Sequence, residues 1–305
     1  MEDDGSVKME LQFINWLLKT IPSSPSSLIG NGDDCAVIGH NDAKILVATD
    51  MLMDGTHFNA DEMQPELIGR KAVAVNFSDI AAMGGKPLAV FISMAIPKNR
   101  SLTWTQKVLL GAQDISRQFQ CGIDGGDTNT WAEKFAINVC VIGVPHWRGP
   151  VRRDGANDGD VVMITGQHLG GSLRSGHHAS FTPRISEATW ILDRYPVHSM
   201  TDISDGLATE AKHLAVASNK KFMINGDAVR NIGSDPIDFH SIFSDGEDFE
   251  LLFTCSPEVA ESLSKDFPWP CGLRKIGHVS TGKGVFICES DDKASSPLEF
   301  SGYEH

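Results

Sequence analysis

Hydrophobic residues near the start of the chain recur at helical spacing. Met9, Phe13, Trp16 and Leu17 fall on one stripe and predict an amphipathic helix over residues 8–21, which the Ser/Pro-rich stretch 22–27 ends. Apolar runs of strand length follow at 36–38 and 45–48, the second leading directly into Thr49 and Asp50. Pro65, placed for a helix first turn, opens a long helix that stops at Met83-Gly84-Gly85. A strand at 88–96, a helix at 103–119 and a strand at 135–144 complete one α+β unit. Residues 145–160, rich in Gly, Pro, Asp and Arg, are the best candidate for a boundary. Beyond them come a strand at 161–165, a glycine-rich turn at 166–171 and a strand at 199–203 running into a helix with Asp205 as its cap. Strands at 249–254, 273–279 and 284–288 alternate with a helix starting after Pro257. The expected architecture is α+β in two domains, residues 1–148 and 149–305.

The chain has 305 residues, 41% of them hydrophobic and 22% charged, as in an ordinary globular protein. The apolar run 88–96 is far shorter than the roughly 20 residues of a membrane-spanning helix. The acidic opening lacks the basic segment of a signal peptide, so a cytoplasmic location is expected. Six cysteines without a CxxC pair predict reduced, mostly buried thiols. The formal net charge of −14 argues against nucleic-acid and anionic-membrane partners, both of which require basic surface.

The aspartates are the informative residues, because they sit at element boundaries or beside small residues. Asp33 and Asp34 lie in a glycine turn before a strand, Asp50 at a strand end, and Asp79 in a helix. Gly125-Gly126-Asp127-Thr128 reads as a tight turn, and Asp202 to Gly206 join a strand to a helix. Singly, each is an ordinary turn or cap residue. Together they predict carboxylates pointing into a shared cleft, where oxygen ligands suit Mg²⁺. No His/Cys cluster has the spacing of a zinc site. The P-loop and protein-kinase motifs are absent, and Gly30-Asn31-Gly32 continues into Asp33-Asp34, which would repel a pyrophosphate unless a divalent cation intervened.

GDDCAV (32–37), ATDMLMDGTHF (48–58), AVNFSDIAAMGGKP (74–87), GGDT (125–128), RDGANDGD (153–160), TDISDGL (201–207), DGEDFELLFT (245–254) and GYEH (302–305), in this order, resemble the thiamine-monophosphate kinase family. That family lies within the superfamily typified by aminoimidazole ribonucleotide synthetase. The resemblance implies a first domain that dimerises through its sheet, with ATP and Mg²⁺ ions in the cleft between domains. By motif, it implies Mg²⁺ ligands at Asp34, Ala48 (through its carbonyl), Thr49, Asp50, Asp79, Asp127, Asp202 and Asp205, of which Asp50, Asp79, Asp127 and Asp205 are the catalytic set. It implies ATP contacts from Gly125, Gly126, Asp127, Arg153 and Ser204, and thiamine monophosphate contacts from His57, Glu247 and Tyr303. Asp245 replaces the family's usual glycine, and the chain between Gly171 and Pro183 is shorter than is common.

The acceptor phosphate has a second pKa near 6, so direct attack on the γ-phosphorus needs no general base. His57 is open to reading as a base, a substrate contact or a structural residue, Arg153 as a phosphate ligand or a solvated loop charge, and Tyr303 as a ring-stacking contact or a frayed tail. The rivals to the kinase reading are another ATP-dependent enzyme of the superfamily and a non-catalytic nucleotide or divalent-cation sensor.

Overall fold

In the computed structural model, which describes residues 5–30, 32–166, 169–230, 239–288 and 295–298, the chain forms an α+β fold around two sheets. Helix α1 (Gly5–Thr20) leads in with Phe13 and Trp16 exposed and stacked on one another, ring centroids 5.8 Å apart. The first sheet is built from β1 (Ser27–Ile29), β2 (Ala36–His40), β3 (Ala43–Met53), β4 (Gly85–Pro97), β5 (Gly122–Trp131) and β6 (Ala136–Pro145), in the order β1-β2-β3-β6-β4-β5. Helices α2 (Pro65–Ala82) and α3 (Leu102–Gln118) lie on one face, and α3 supplies the crossover that the parallel pair β4 and β5 requires.

Two expectations change here. β3 runs through Thr49 and Asp50 for eleven residues, where a short strand ending before them was expected. Gly125 to Thr128 form no tight turn but lie within β5, beside a bulge opposite Val90 and Phe91. The steric need for glycine survives the correction. Gly126 has φ 148°, and a Cβ there would meet the Ile92 carbonyl oxygen at 1.7 Å.

α2 is buried on nearly every side, packing on α3, the first sheet and the second half of the chain. Pro65 opens it, and Gly84, at φ 67°, ends it as the glycine pattern predicts. Gly69 and Gly111 let α2 and α3 touch backbone to backbone: a Cβ on either would stand 1.8 Å from a carbonyl oxygen, of Val108 and Glu66 respectively.

The second half contains β7 (Val161–Thr165), α4 (Ser172–Ser175), a 3-10 turn at His177–Ala179, α5 (Ile185–Arg194), β8 (Ser199–Asp202), α6 (Leu207–Ser218), β9 (Lys221–Asn225) and α7 (Gly226–Arg230). It continues with α8 (Phe239–Ser244), β10 (Leu251–Cys255), α9 (Pro257–Asp266), β11 (Leu273–Ser280), β12 (Gly284–Cys288) and β13 (Ser295–Pro297). The sheet order is β13-β12-β9-β11-β7-β10-β8. Strand parity sorts its side chains between two cores. Met163, Met200, Leu251 and Phe253 join the core that also holds α2, whereas Val162, Ile164, Leu252 and Ile224 face the core beneath α6. The residue preceding α6 is Gly206 at φ 97°, not the expected cap Asp205, because the chain leaving β8 turns there through a conformation that a side chain resists. β10 starts at Leu251 rather than 249, since Glu247 and Phe249 hold positive φ angles of 64° and 51° that interrupt an extended strand.

Gly69→Ala therefore separates two helices that now touch. Urea unfolding is expected to show a loss of about 1–3 kcal/mol, the usual cost of overpacking a core.

Candidate functional site

The cleft between the two sheets forms where the C-terminal half of α2 meets the end of β8. α2 contributes Asp79, β8 contributes Asp202, and the turn before β2 contributes Asp34. One oxygen from each lies within 4.8 Å of the others. Hydroxyl groups hold two of these acids. Ser78 donates to Asp202 at 2.5 Å, and Thr201 donates to Asp34 at 2.9 Å. Asp50 reaches the same place from β3, where its charge acts on Asp79. Together Asp50, Asp79 and Asp202 line a cavity of about 730 Å³ that also includes Thr49, His57, Ser204, Asp205 and Glu247.

Burial governs the electrostatics. Desolvation, followed by the charges of Asp50, Asp202 and Asp34, pushes Asp79 well above the ordinary carboxylate range, and burial beside Asp34 does the same to Asp202. Burial also raises Asp50, and burial together with Asp34 raises Asp33 to about 6. Arg153 is the nearby cation. Its guanidinium donates to both oxygens of Asp34, at 2.7 and 3.3 Å, and stands 3.8 Å from Glu210. Burial works against that charge, but Asp34 and Glu210 outweigh it and hold the proton more tightly than usual. Glu210, itself buried, is raised by desolvation, but the hydrogen bond and charge of His213 together with the Arg153 charge outweigh that and hold it below its ordinary value.

The donor set is carboxylate and hydroxyl oxygen, crowded enough that like charges repel, which suits a hard divalent ion such as Mg²⁺. Among the described residues, this is the group of His, Cys, Asp or Glu side chains close enough to share an ion.

The loop 245–250 forms another wall, and each of its carboxylates has its own partner. Asp245 accepts from the Gly171 amide and from Arg174, both at 3.2 Å, and so ties down the chain at residues 171–174. Asp248 accepts from the Gly170 amide and the Ser172 hydroxyl, and burial pushes it up to about 7. Glu250 forms a buried pair with Arg184 and accepts from Thr165. Glu247 meets Lys71 and His178. The loop is laced to the chain leaving β8: the Glu247 and Phe249 amides donate to the carbonyls of Ser204 and Ile203, at 2.6 and 2.8 Å.

Residues 32–145 match the family described as AIR synthase related protein, N-terminal domain. The thiamine-monophosphate kinase of Pyrococcus abyssi is 35% identical over 293 residues, covering 90% of each chain, and that of Rhodopirellula baltica is 30% identical, covering 91% of this chain and 92% of its own. This chain belongs to the thiamine-monophosphate kinase family. The solved structure of AaThiL complexed with AMPPCP and TMP superposes with a TM-score of 0.79 at 29% identity, covering 97% of this chain and 96% of that one. The hydrogenase maturation protein HypE in complex with ATP, at 17% identity and a TM-score of 0.70, shares the fold.

Of the residues that the family motifs single out, Asp34, Asp79, Asp202 and Arg153 cluster, while Asp50, Thr49, His57, Ser204, Asp205 and Glu247 line the same cavity. Ala48 sits buried in β3 immediately before them. Gly125, Gly126 and Asp127 stand apart on the edge strand β5, where Asp127 accepts from Thr128 and Asn129. Tyr303 lies outside the described residues. Lys71, His178 and Glu210 lie outside the quoted motifs, and Thr201, inside TDISDGL, is given no role by them. Each touches a motif residue from far along the chain or from the opposite face of an element, and a buried lysine in a helix carries no local signal.

Folding raises Asp33, Asp50, Asp79 and Asp202 above their unfolded values, so the native state holds protons that the unfolded chain releases. Without a cation, stability then falls as pH rises through the raised values, which for Asp33 is about 6. An ion displaces those protons. Calorimetry should show Mg²⁺ raising the melting temperature more at about pH 8 than at about pH 6, and Asp202→Asn should remove most of the shift.

Proposed function

We propose that this protein transfers the γ-phosphoryl group of ATP to thiamine monophosphate, giving thiamine diphosphate and ADP. The triad Asp34, Asp79 and Asp202, beside a cavity of about 730 Å³, carries this reading, supported by family membership. Asp34, the Ala48 carbonyl, Thr49, Asp50, Asp79, Asp202 and Asp205 would hold Mg²⁺. When bound, these ions supply the positive charge that lets two phosphate groups approach.

The chain's own residues position the reactants. Arg153 offers its guanidinium fork to nucleotide phosphates, and Ser204, at the chain's exit from β8, adds a hydroxyl. His57 and Glu247 hold the vitamin end. His57 is no base here: its Nδ1 accepts from the Met53 amide at 3.0 Å, and the acceptor oxygen is already anionic near pH 7. That oxygen forms a bond to the γ-phosphorus while the bond to the bridging oxygen of ADP breaks, with no phospho-enzyme. A second cavity of about 700 Å³ begins at Thr56 and His57 and is lined by Asp54, Asp61 and Glu62, acids that suit the cationic thiazolium ring.

We also read residues 1–148 and 149–305 as two domains of a cytoplasmic homodimer. The face of the first sheet away from α2 exposes Ile38, Met51, Met53 and Val144, an apolar surface that the chain itself leaves uncovered. The register Asp127 to Ser93 to Asn138 to Met51 puts three strand spacings, about 14 Å, between Asp127 and the neighbourhood of Asp50, too far to share one ion. A second copy packed on the exposed face would bring its own Asp127, with Gly125 and Gly126, to this site.

Product analysis after mixing the protein with ATP, Mg²⁺ and thiamine monophosphate should show thiamine diphosphate and ADP in equal amounts, with free thiamine inert. Asp50→Asn should lower turnover by about a hundredfold or more. Mixed protomers test the shared site. Asp50→Asn and Asp127→Asn chains, each inactive alone, should regain activity together, whereas sites confined to single chains would stay dead.

A further inference from the structure

Lys71 is fully buried in α2, where a lysine is rarely found without a specific partner. Its ammonium group is saturated. Nζ donates to the His57 carbonyl at 2.7 Å and to the two Glu247 oxygens at 2.8 and 2.7 Å, and it lies 2.9 Å from His178 Nδ1. These partners come from three places: the loop after β3, the loop before β10, and the 3-10 turn at His177–Ala179. Burial holds Lys71 below its ordinary value, with the Glu247 charge and hydrogen bond working against it. The reverse holds for Glu247: desolvation raises it, but the hydrogen bond from His178 and the Lys71 charge outweigh burial and keep it below its ordinary value.

Helix geometry gives this contact a further meaning. Lys71, Val75 and Asp79 repeat at intervals of four on one face of α2, and Val75 and Asp79 both line the 730 Å³ cavity. Eight residues of helix set Lys71 about 12 Å from Asp79. One rigid, buried rod thus carries an acid of the metal-binding cluster at one end and, at the other, the single cation tying His57 to Glu247. Glu247 needs such a tie, because it sits at φ 64°, a conformation that a glutamate does not keep unaided.

We propose that Lys71 is the positioning residue for acceptor recognition: it locks the His57 backbone and the Glu247 carboxylate at a set distance from the acidic cluster, with His178 completing the clamp. This rests on the reading of His57 and Glu247 as thiamine monophosphate contacts. A carboxylate has about four lone-pair positions, so Glu247 retains acceptor capacity toward the substrate's amino group after Lys71 and His178 are served. Lys71 itself touches no reacting atom.

The test uses Lys71→Met, Glu247→Gln and the double variant, which leaves no uncompensated buried charge and keeps the comparison possible if Lys71→Met fails to fold. Steady-state kinetics are measured with ATP, Mg²⁺ and thiamine monophosphate. The KM for thiamine monophosphate should rise about tenfold or more in Lys71→Met, with the KM for ATP within about twofold of wild type. In the Glu247→Gln background, Lys71→Met should add less than about twofold, since both residues act through one contact. Equal rises in both KM values, fully multiplicative effects, or a folded double variant with wild-type KM for thiamine monophosphate would overturn the proposal. Wild-type protein forming no thiamine diphosphate would instead overturn the reading of the function, and is seen before any variant is compared.

Discussion

Asp34, Asp79 and Asp202 come from a turn, a helix and a strand that span residues 34 to 202 of the chain, yet their carboxylates converge within 4.8 Å. Like charges at such separations, shielded from water, repel strongly, and Asp79 and Asp202 shift toward their protonated forms. The surrounding structure opposes that strain with the Ser78 and Thr201 hydroxyls and with Arg153, whose fork on Asp34 is the cation closest to the acids. A site held in this way is poised for a divalent cation, and an acidic protein can then accept anionic substrates. The formal charge of −14, which poses a question for any phosphate substrate, is reconciled at this one place.

α2 carries the strain to the rest of the fold. It packs against the first sheet, α3, α5 and β8, and its backbone meets that of α3 at Gly69 and Gly111. Few rotations or shifts are open to a helix confined this way, so Asp79 and Lys71 are fixed relative to both sheets. Opposite it, the 245–250 loop pairs each acid separately, with Arg174, Lys71, Ser172 and Arg184. Asp245 secures the Gly171 turn by accepting from its amide.

Much of the element order was readable because hydrophobic periodicity is a local property. The helix opened by Pro65 and stopped at Gly84, the strands at 88–96 and 135–144, and the helix after Pro257 all appear where the pattern places them. The failures share a cause. Gly125 to Thr128 look like a turn because two glycines and an aspartate favour one locally, but pairing with β4 and the close approach to Ile92 make them a bulged strand. Asp205 looks like a cap, yet the path out of β8 puts the special backbone angle on Gly206. β9, five residues inside the second sheet, has only three apolar positions, Phe222 to Ile224, between a lysine and an asparagine, too short a run to declare itself.

What the residues alone determined was the kind of chemistry: an excess of acids at glycine-rich boundaries, no thiol or imidazole cluster, no P-loop, and a series of motifs in family order. These are matters of composition and local spacing, which a linear chain displays. Tertiary structure decided which acids meet. It drew Asp34, Asp79 and Asp202 together, set Asp127 three strands away on an edge, and buried Lys71 against Glu247 across 176 positions of chain. The reason is physical: convergence of charged groups depends on strand order and helix packing, and those follow from burial summed over the whole core rather than from any segment's own preferences.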